Sequence, residues 1–178
     1  MRLRIVNDDC QDSPRAWDNM GTMACWHSRY TLGDEQPTED PQEYIAALPK
    51  DSLVLPLYLY DHSGITMNTT GFSCGWDSGQ VGIIYVTPEG IKAEGITREQ
   101  AEANLRSEVE VYDLFIRGAV YGFIVEQEIG RDECGHSEWE QTDSCFGFYG
   151  EDWENNGMKE HLPVEVLPQL ENVEVEYS

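Results

Sequence analysis

The sequence predicts a single α+β domain over residues 1–178, with a mainly antiparallel sheet, one long helix at about 97–117 and one or two short helices. Three observations predict it. Short apolar or alternating runs, bounded by glycine, proline and aspartate, recur along the chain. One segment, Thr97–Arg117, carries an unbroken helical period. The length, 178 residues, is that of one ordinary domain with one core.

The elements follow in order. Residues 2–6, RLRIV, alternate and suit a short strand. Residues 7–40 are mixed and turn-rich. A helix opens at EDPQEYIAAL: Asp40 caps it, Pro41 fits the first helical position, Glu43 completes a capping box, and the helix ends near Leu48-Pro49. It is short, so it needs a packing partner. SLVLPLYLYDHSG reads as a buried strand ended by Asp61–Gly64. Pro56 inside it removes one ladder donor and calls for an edge position or a bulge. Ile65–Thr70 is a second β-prone run, and the strand from Val81 stops at Pro88 and Gly90. In the long helix, Thr97 and Gln100 form a capping box. Ala101, Leu105, Val109, Tyr112 and Ile116 line one face, and Gly118 stops it. AVYGFIVEQEIG then pairs with WEQTDSCFGFYG as a hairpin across GRDECGHS. Residues 151–178 read as a short helix and a loosely packed acidic tail.

Charge is the unusual quantity. There are 34 acidic and 11 basic residues, for a formal charge of -23. Phosphate binding needs clustered Lys and Arg, so direct contact with nucleic acid or an anionic membrane is not expected. A basic or nucleic-acid-binding protein is the partner such a charge fits. The start MRLRIVNDDC is too soon polar for a secretory signal, and no run approaches the roughly 18 apolar residues of a spanning helix. Five cysteines, Cys10, Cys25, Cys74, Cys134 and Cys145, are expected as reduced thiols in a cytosol. From Glu126 to Ser178 there are 15 acids against Arg131 and Lys159, a charge of -13. B-DNA carries one negative charge per about 1.7 Å of axis. Carboxylates spread over one side of a small domain can imitate it. The candidate partner-binding residues are Asp132, Glu133, Glu138, Glu140, Asp143, Glu151, Asp152 and Glu154. Trp139, Phe146, Phe148, Tyr149 and Trp153 are interleaved with them as apolar anchors, with Phe146 and Phe148 better read as core. The plainer reading of the same acids is a solvated face that keeps the protein soluble.

Catalytic readings are weaker. Cys74 could be a nucleophile with His62 as base and Asp61 orienting it, but buried cysteine is commonly inert. Ser78 has no G-x-S-x-G elbow. Cys25 and His27, with Cys134 and His136, supply an acceptable zinc set in ligand type but at tighter spacing than usual. No metal, cofactor or catalytic residue is assigned. The stretch GFSCGWDSGQVGIIYV reads as a glycine-shaped turn into a strand, with Cys74 and Trp76 as packing candidates.

DSPRAWDNMGTM, WHSRYTLGD, LPLYLYDHSGITMNTTGFSCGWDSGQVGIIYV and SCFGFYG together resemble a family of small proteins, encoded by bacteriophages and plasmids, to which no reaction is assigned. The likeness covers most of Asp12–Gly150 and is most specific over Leu55–Val86. It implies a mobile-element protein acting in the host cytosol. With the charge, it predicts an inhibitor that binds a host defence or nucleic-acid-handling protein of restriction or CRISPR type and occupies its basic groove. The alternatives are a small enzyme or zinc protein on the residues above, and a soluble phage accessory protein.

Overall fold

The computed structural model describes residues 1–9 and 11–177. In chain order its strands are β1 (Arg2–Asn7), β2 (Thr22–Cys25), β3 (Leu53–Asp61), β4 (Ile65–Asn68), β5 (Ser78–Val86), β6 (Val120–Arg131), β7 (Ser137–Tyr149) and β8 (Val175–Glu176). Its helices are α1 (Pro41–Ala47), α2 (Pro88–Glu94), α3 (Arg98–Ile116) and α4 (Met158–His161), with 3-10 turns at Pro14–Ala16 and Leu167–Asn172. The fold is α+β, its strands mainly antiparallel, with one long helix. The strands divide between two four-stranded sheets, ordered β7-β6-β1-β8 and β2-β5-β3-β4. Each sheet belongs to one of two compact units, Met1–Gln11 with Gly118–Ser178, and Asp12–Arg117.

In the first unit, β6 lies between β7 and β1, antiparallel to both, and β8 runs parallel to β1. Alternation turns Leu3, Ile5, Tyr121, Phe123 and Val125 into one core. Met158, Leu162, Val166 and Leu170 join that core. The segment 151–178, expected to pack loosely, therefore supplies four buried apolar side chains, each worth roughly 1.5–3 kcal/mol of burial. Phe148 belongs to the core, but Phe146, also expected there, is exposed. Gly147 between them has φ +88 and forms a bulge, which sets Phe146 opposite Gly122, where its ring fills the space a side chain would need.

In the second unit, α3 lays Ala101, Leu105, Val109 and Tyr112 on a sheet face made by Leu53, Leu55, Leu57, Leu59, Met23 and Ile84. The Thr97–Gln100 capping box forms as expected. Pro56 sits where β4 does not reach, and one residue later, opposite the Leu57–Tyr58 step, β5 bulges with the extra residue Val81. Asp40 caps α1 through the Gln42 N–H at 2.9 Å. α1 buries nothing outright; Tyr44 holds it through an edge contact with Trp26 and hydrogen bonds to Glu35 and Tyr85. The TPEG that was expected to end a strand also starts α2. Thr87 caps it through the Gly90 N–H, Pro88 takes the first turn, and Gly95 closes it at φ +66.

Arg15, 5% exposed at its side chain, binds Asp34 through two nitrogens at 2.9 and 2.7 Å and Glu108 at 2.9 Å. Burial opposes its charge, and the two carboxylates more than offset that, so its pKa is raised. Glu108 also accepts the N–H groups of Met20 and Gly21, and Asp34 that of Met23. The network ties the chain before β2 to α3. Arg15→Met leaves two half-buried carboxylates without a counter-charge and should cost about 3–5 kcal/mol in denaturant unfolding. Gly82 pairs with Cys25 where a Cβ would lie 2.5 Å from the Ala24 carbonyl oxygen. Gly82→Ala should therefore destabilise by about 1–3 kcal/mol. Gly79→Ala, with open space around it, should stay within about 0.5 kcal/mol in the same measurement.

Candidate functional site

The acidic candidates centre on the β6–β7 hairpin. β1 pairs with β6 only from Tyr121 to Glu126, so residues 127–131 and their partners on β7 continue past it as a two-stranded ribbon. Five residues at about 3.4 Å each give an extension of roughly 17 Å. The ribbon closes through Glu133-Cys134-Gly135, with Gly135 at φ +85. Asp132 fixes that turn: its carboxylate accepts the N–H of Cys134 and of His136, both at 2.8 Å, and faces the His136 ring at 3.1 Å. The backbone bond from His136, then the ring contact, hold its pKa below the usual carboxylate value.

Where the ribbon leaves the sheet, Glu126 is buried and bonded by Arg2 at 2.5 Å, with Arg4 at 3.6 Å. The Arg2 guanidinium also lies 4.2 Å above the Trp139 ring. Arg4 reaches Glu176 at 2.5 Å, Arg131 reaches Glu128 at 3.6 Å, and Lys159 pairs with Glu154. These four are all the Lys and Arg residues of the first unit, and each is taken by an acid of that unit.

The eight predicted acids separate accordingly, although all are exposed. Asp132 builds the turn. Glu151 accepts the Tyr121 hydroxyl at 2.8 Å, Asp152 takes the Asn155 side chain at 2.9 Å, and Glu154 holds Lys159. Glu133, Glu138, Glu140 and Asp143 make no ion pair among the described residues. Glu138 and Glu140 share one side of the ribbon, roughly 7 Å apart, because strand side chains alternate. The predicted anchors fare unevenly. Trp139 is covered by Arg2, Phe148 is core, and Trp153 stands edge-on to Tyr121 at 5.1 Å. The exposed apolar groups of the hairpin are Phe146 and Ile129. Ile129 was not foreseen: the register shift between Glu128 and Gly130 turns it out, and no alternation in the sequence signals that.

The thiol site does not assemble as predicted. Asp77, not His62, is the neighbour of Cys74: its carboxylate lies 3.9 Å from the thiol and 3.4 Å from the His62 ring. Asp61 instead takes Arg29 at 3.2 Å and the Tyr30 hydroxyl at 3.3 Å. No hydrogen bond joins Cys74 to His62 among the described residues, so the imidazole is not placed on the thiol as its base. Ser78 fastens the loop by donating its hydroxyl to the Cys74 carbonyl. Trp76, expected to pack, is 97% exposed.

The four zinc candidates are likewise not gathered. Cys25 is buried on β2, and His27 uses its ring nitrogen to accept the N–H groups of Arg29 and Tyr30. Cys134 and His136 lie in the other unit, in the ribbon turn. Among the described residues no three His, Cys, Asp or Glu side chains stand close enough to hold a metal. The described cysteines are free thiols, and Cys10 lies outside the described residues. No family model, curated protein or solved structure matches the chain.

Burial, then the charge of Asp34, pushes the Cys25 thiol up to about 12 from 9.0. The unfolded chain releases that proton first. The stabilisation is complete below pH 9.0 and is lost as pH rises toward 12, at up to about 1.4 kcal/mol per pH unit. Denaturant midpoints measured between about pH 8 and pH 10 should fall less in Cys25→Ala than in the parent protein.

Proposed function

We propose that this chain is a binding protein, an acidic inhibitor that docks its β6–β7 ribbon into the basic groove of a host defence or nucleic-acid-handling protein of restriction or CRISPR type. One observation carries the proposal. Glu133, Glu138, Glu140 and Asp143 stand exposed and without ion pairs, while every Lys and Arg of the same unit is engaged by another acid. The hairpin thus presents unneutralised charge on a hydrogen-bonded frame. Duplex DNA presents its phosphates in the same manner, and a groove built for phosphates attracts both. Ile129 and Phe146 add the exposed apolar surface that a protein interface uses at its centre. The charge and the resemblance to mobile-element proteins support a host target. No helix among the described residues is long and apolar enough to cross a membrane.

The test combines capture with competition. The protein and a variant carrying Glu133→Lys, Glu138→Lys, Glu140→Lys and Asp143→Lys are used as baits in bacterial lysate at low salt. The parent should retain nucleic-acid-binding proteins that duplex DNA displaces. The variant, checked for an unchanged unfolding midpoint, should bind the same proteins on the order of 100-fold more weakly. The parent's affinity should fall steeply with added salt. Equal retention by the variant, or retention that DNA does not compete, refutes mimicry and leaves the acids to solubility.

A further inference from the structure

The edges of the two sheets are not treated alike. In the second unit, the outer edge of β2 is covered by the chain around Glu35: the Cys25 N–H bonds the Glu35 carbonyl at 2.9 Å, and the N–H groups of Asp34 and Glu35 bond the Met23 carbonyl. The outer edge of β4 lies under α3, where Asp113 accepts the Met67 N–H and the Thr66 hydroxyl, both at 2.6 Å. In the first unit, β8 is two residues long. β7 is different. It runs 13 residues at the edge of its sheet, and among the described residues no other element bonds its outward backbone. Glu138, Glu140, Gln141, Thr142 and Asp143 are all exposed.

We infer that β7 takes an added strand, and that the strand is an extended, lysine- or arginine-rich segment of a protein partner. The inference rests on the proposed binding role of the ribbon and states how the partner is held. The turn fixes which groups point outward. The Asp132 N–H bonds the His136 carbonyl, so the backbone of His136 faces β6. Alternation then directs the backbones of Glu138 and Glu140 toward β6 and those of Ser137, Trp139 and Gln141 away from it. Three N–H and three C=O groups in a row remain for an incoming chain. The extra residue at Thr142, opposite the Val125–Glu126 step, ends the run.

Charge selects the occupant. A second copy pairing through its own β7 would set Glu138, Glu140 and Asp143 against one another, and like charges directly opposite destabilise a ladder. The acids therefore exclude self-pairing, a common use of charge on edge strands. A strand with Lys or Arg at alternate positions meets the same acids with opposite sign, while its backbone completes the ladder.

The test is amide hydrogen exchange on the full chain at low salt. One probe is a nine-residue peptide alternating lysine and valine. The other is a peptide of equal charge alternating lysine and proline, which cannot donate along a ladder. The lysine–valine peptide should bind and slow exchange at Ser137, Trp139 and Gln141 at least tenfold, and the lysine–proline peptide should not. Gln141→Pro should weaken lysine–valine binding about tenfold, with Gln141→Thr close to the parent. Equal binding of both peptides without new protection overturns strand addition and leaves charge-driven docking standing. Failure of the lysine–valine peptide to bind also overturns it. Undiminished binding by the four-lysine variant overturns the acidic-ribbon reading itself.

Discussion

The contact between Arg2 and Glu126 is the interaction on which the first unit's shape depends. It joins β1 to β6 at the last residue pair the two strands share. The same guanidinium covers Trp139 on β7, so one side chain engages three strands where the sheet narrows to a ribbon. Before this point β6 is buried from Val120 through Val125, except for the half-buried Ile124. Beyond it Gln127, Glu128 and Ile129 are exposed. A two-stranded hairpin alone is marginal in water. Here it is rooted in a sheet through an ion pair that is mostly out of solvent on the Glu126 side, where the geometry counts for more than in an exposed pair.

The second unit solves a comparable problem with Arg15. A turn-rich stretch with little apolar content cannot hold itself in place by burial. Arg15 gives it a fixed point by forking into Asp34 and Glu108, while Glu108 also satisfies two backbone donors. The cost of burying three charges is met by hydrogen bonds on nearly every available side. The unit's best-paired polar groups face inward and hold loops to α3.

Local signals in the sequence were dependable wherever one rule decided the outcome. The Thr97–Gln100 box and the spacing of Ala101, Leu105, Val109 and Tyr112 defined α3, and GRDECGHS defined the ribbon turn. The misses came where two rules compete. Thr87-Pro88 can end a strand or begin a helix, and Gly95 decides for the helix only when read as its closing residue. The apolar residues at 158, 162, 166 and 170 recur every four residues within an acidic tail, and the charge masked the period. Phe146 and Ile129 sit at bulges, which reverse the face of a side chain without a local cue. Among the acids, exposure was legible from their charge. Engagement was not, because the partners of Glu151 and Glu154 are set by packing and by a neighbouring lysine. Arg15 was missed for the same reason: Glu108 is 93 residues away in sequence.

Placement, more than total charge, argues for a role beyond solubility. Solubility depends on net charge and is served by carboxylates anywhere on the surface. Acids on a two-stranded ribbon repel one another where few contacts resist the strain, so that position is among the least favourable for charge with no other use. Of the unit's four cations, only Arg131 relieves a ribbon acid, Glu128; Arg2 and Arg4 hold Glu126 and Glu176 at the sheet, and Lys159 is taken by Glu154. What remains at Glu133, Glu138, Glu140 and Asp143 is a line of charge beside an uncovered strand edge. The repulsion within that line is relieved by an approaching cation, and the edge is completed by an approaching backbone. A basic extended segment supplies both at once, whereas a small cation supplies only the first and a neutral strand only the second.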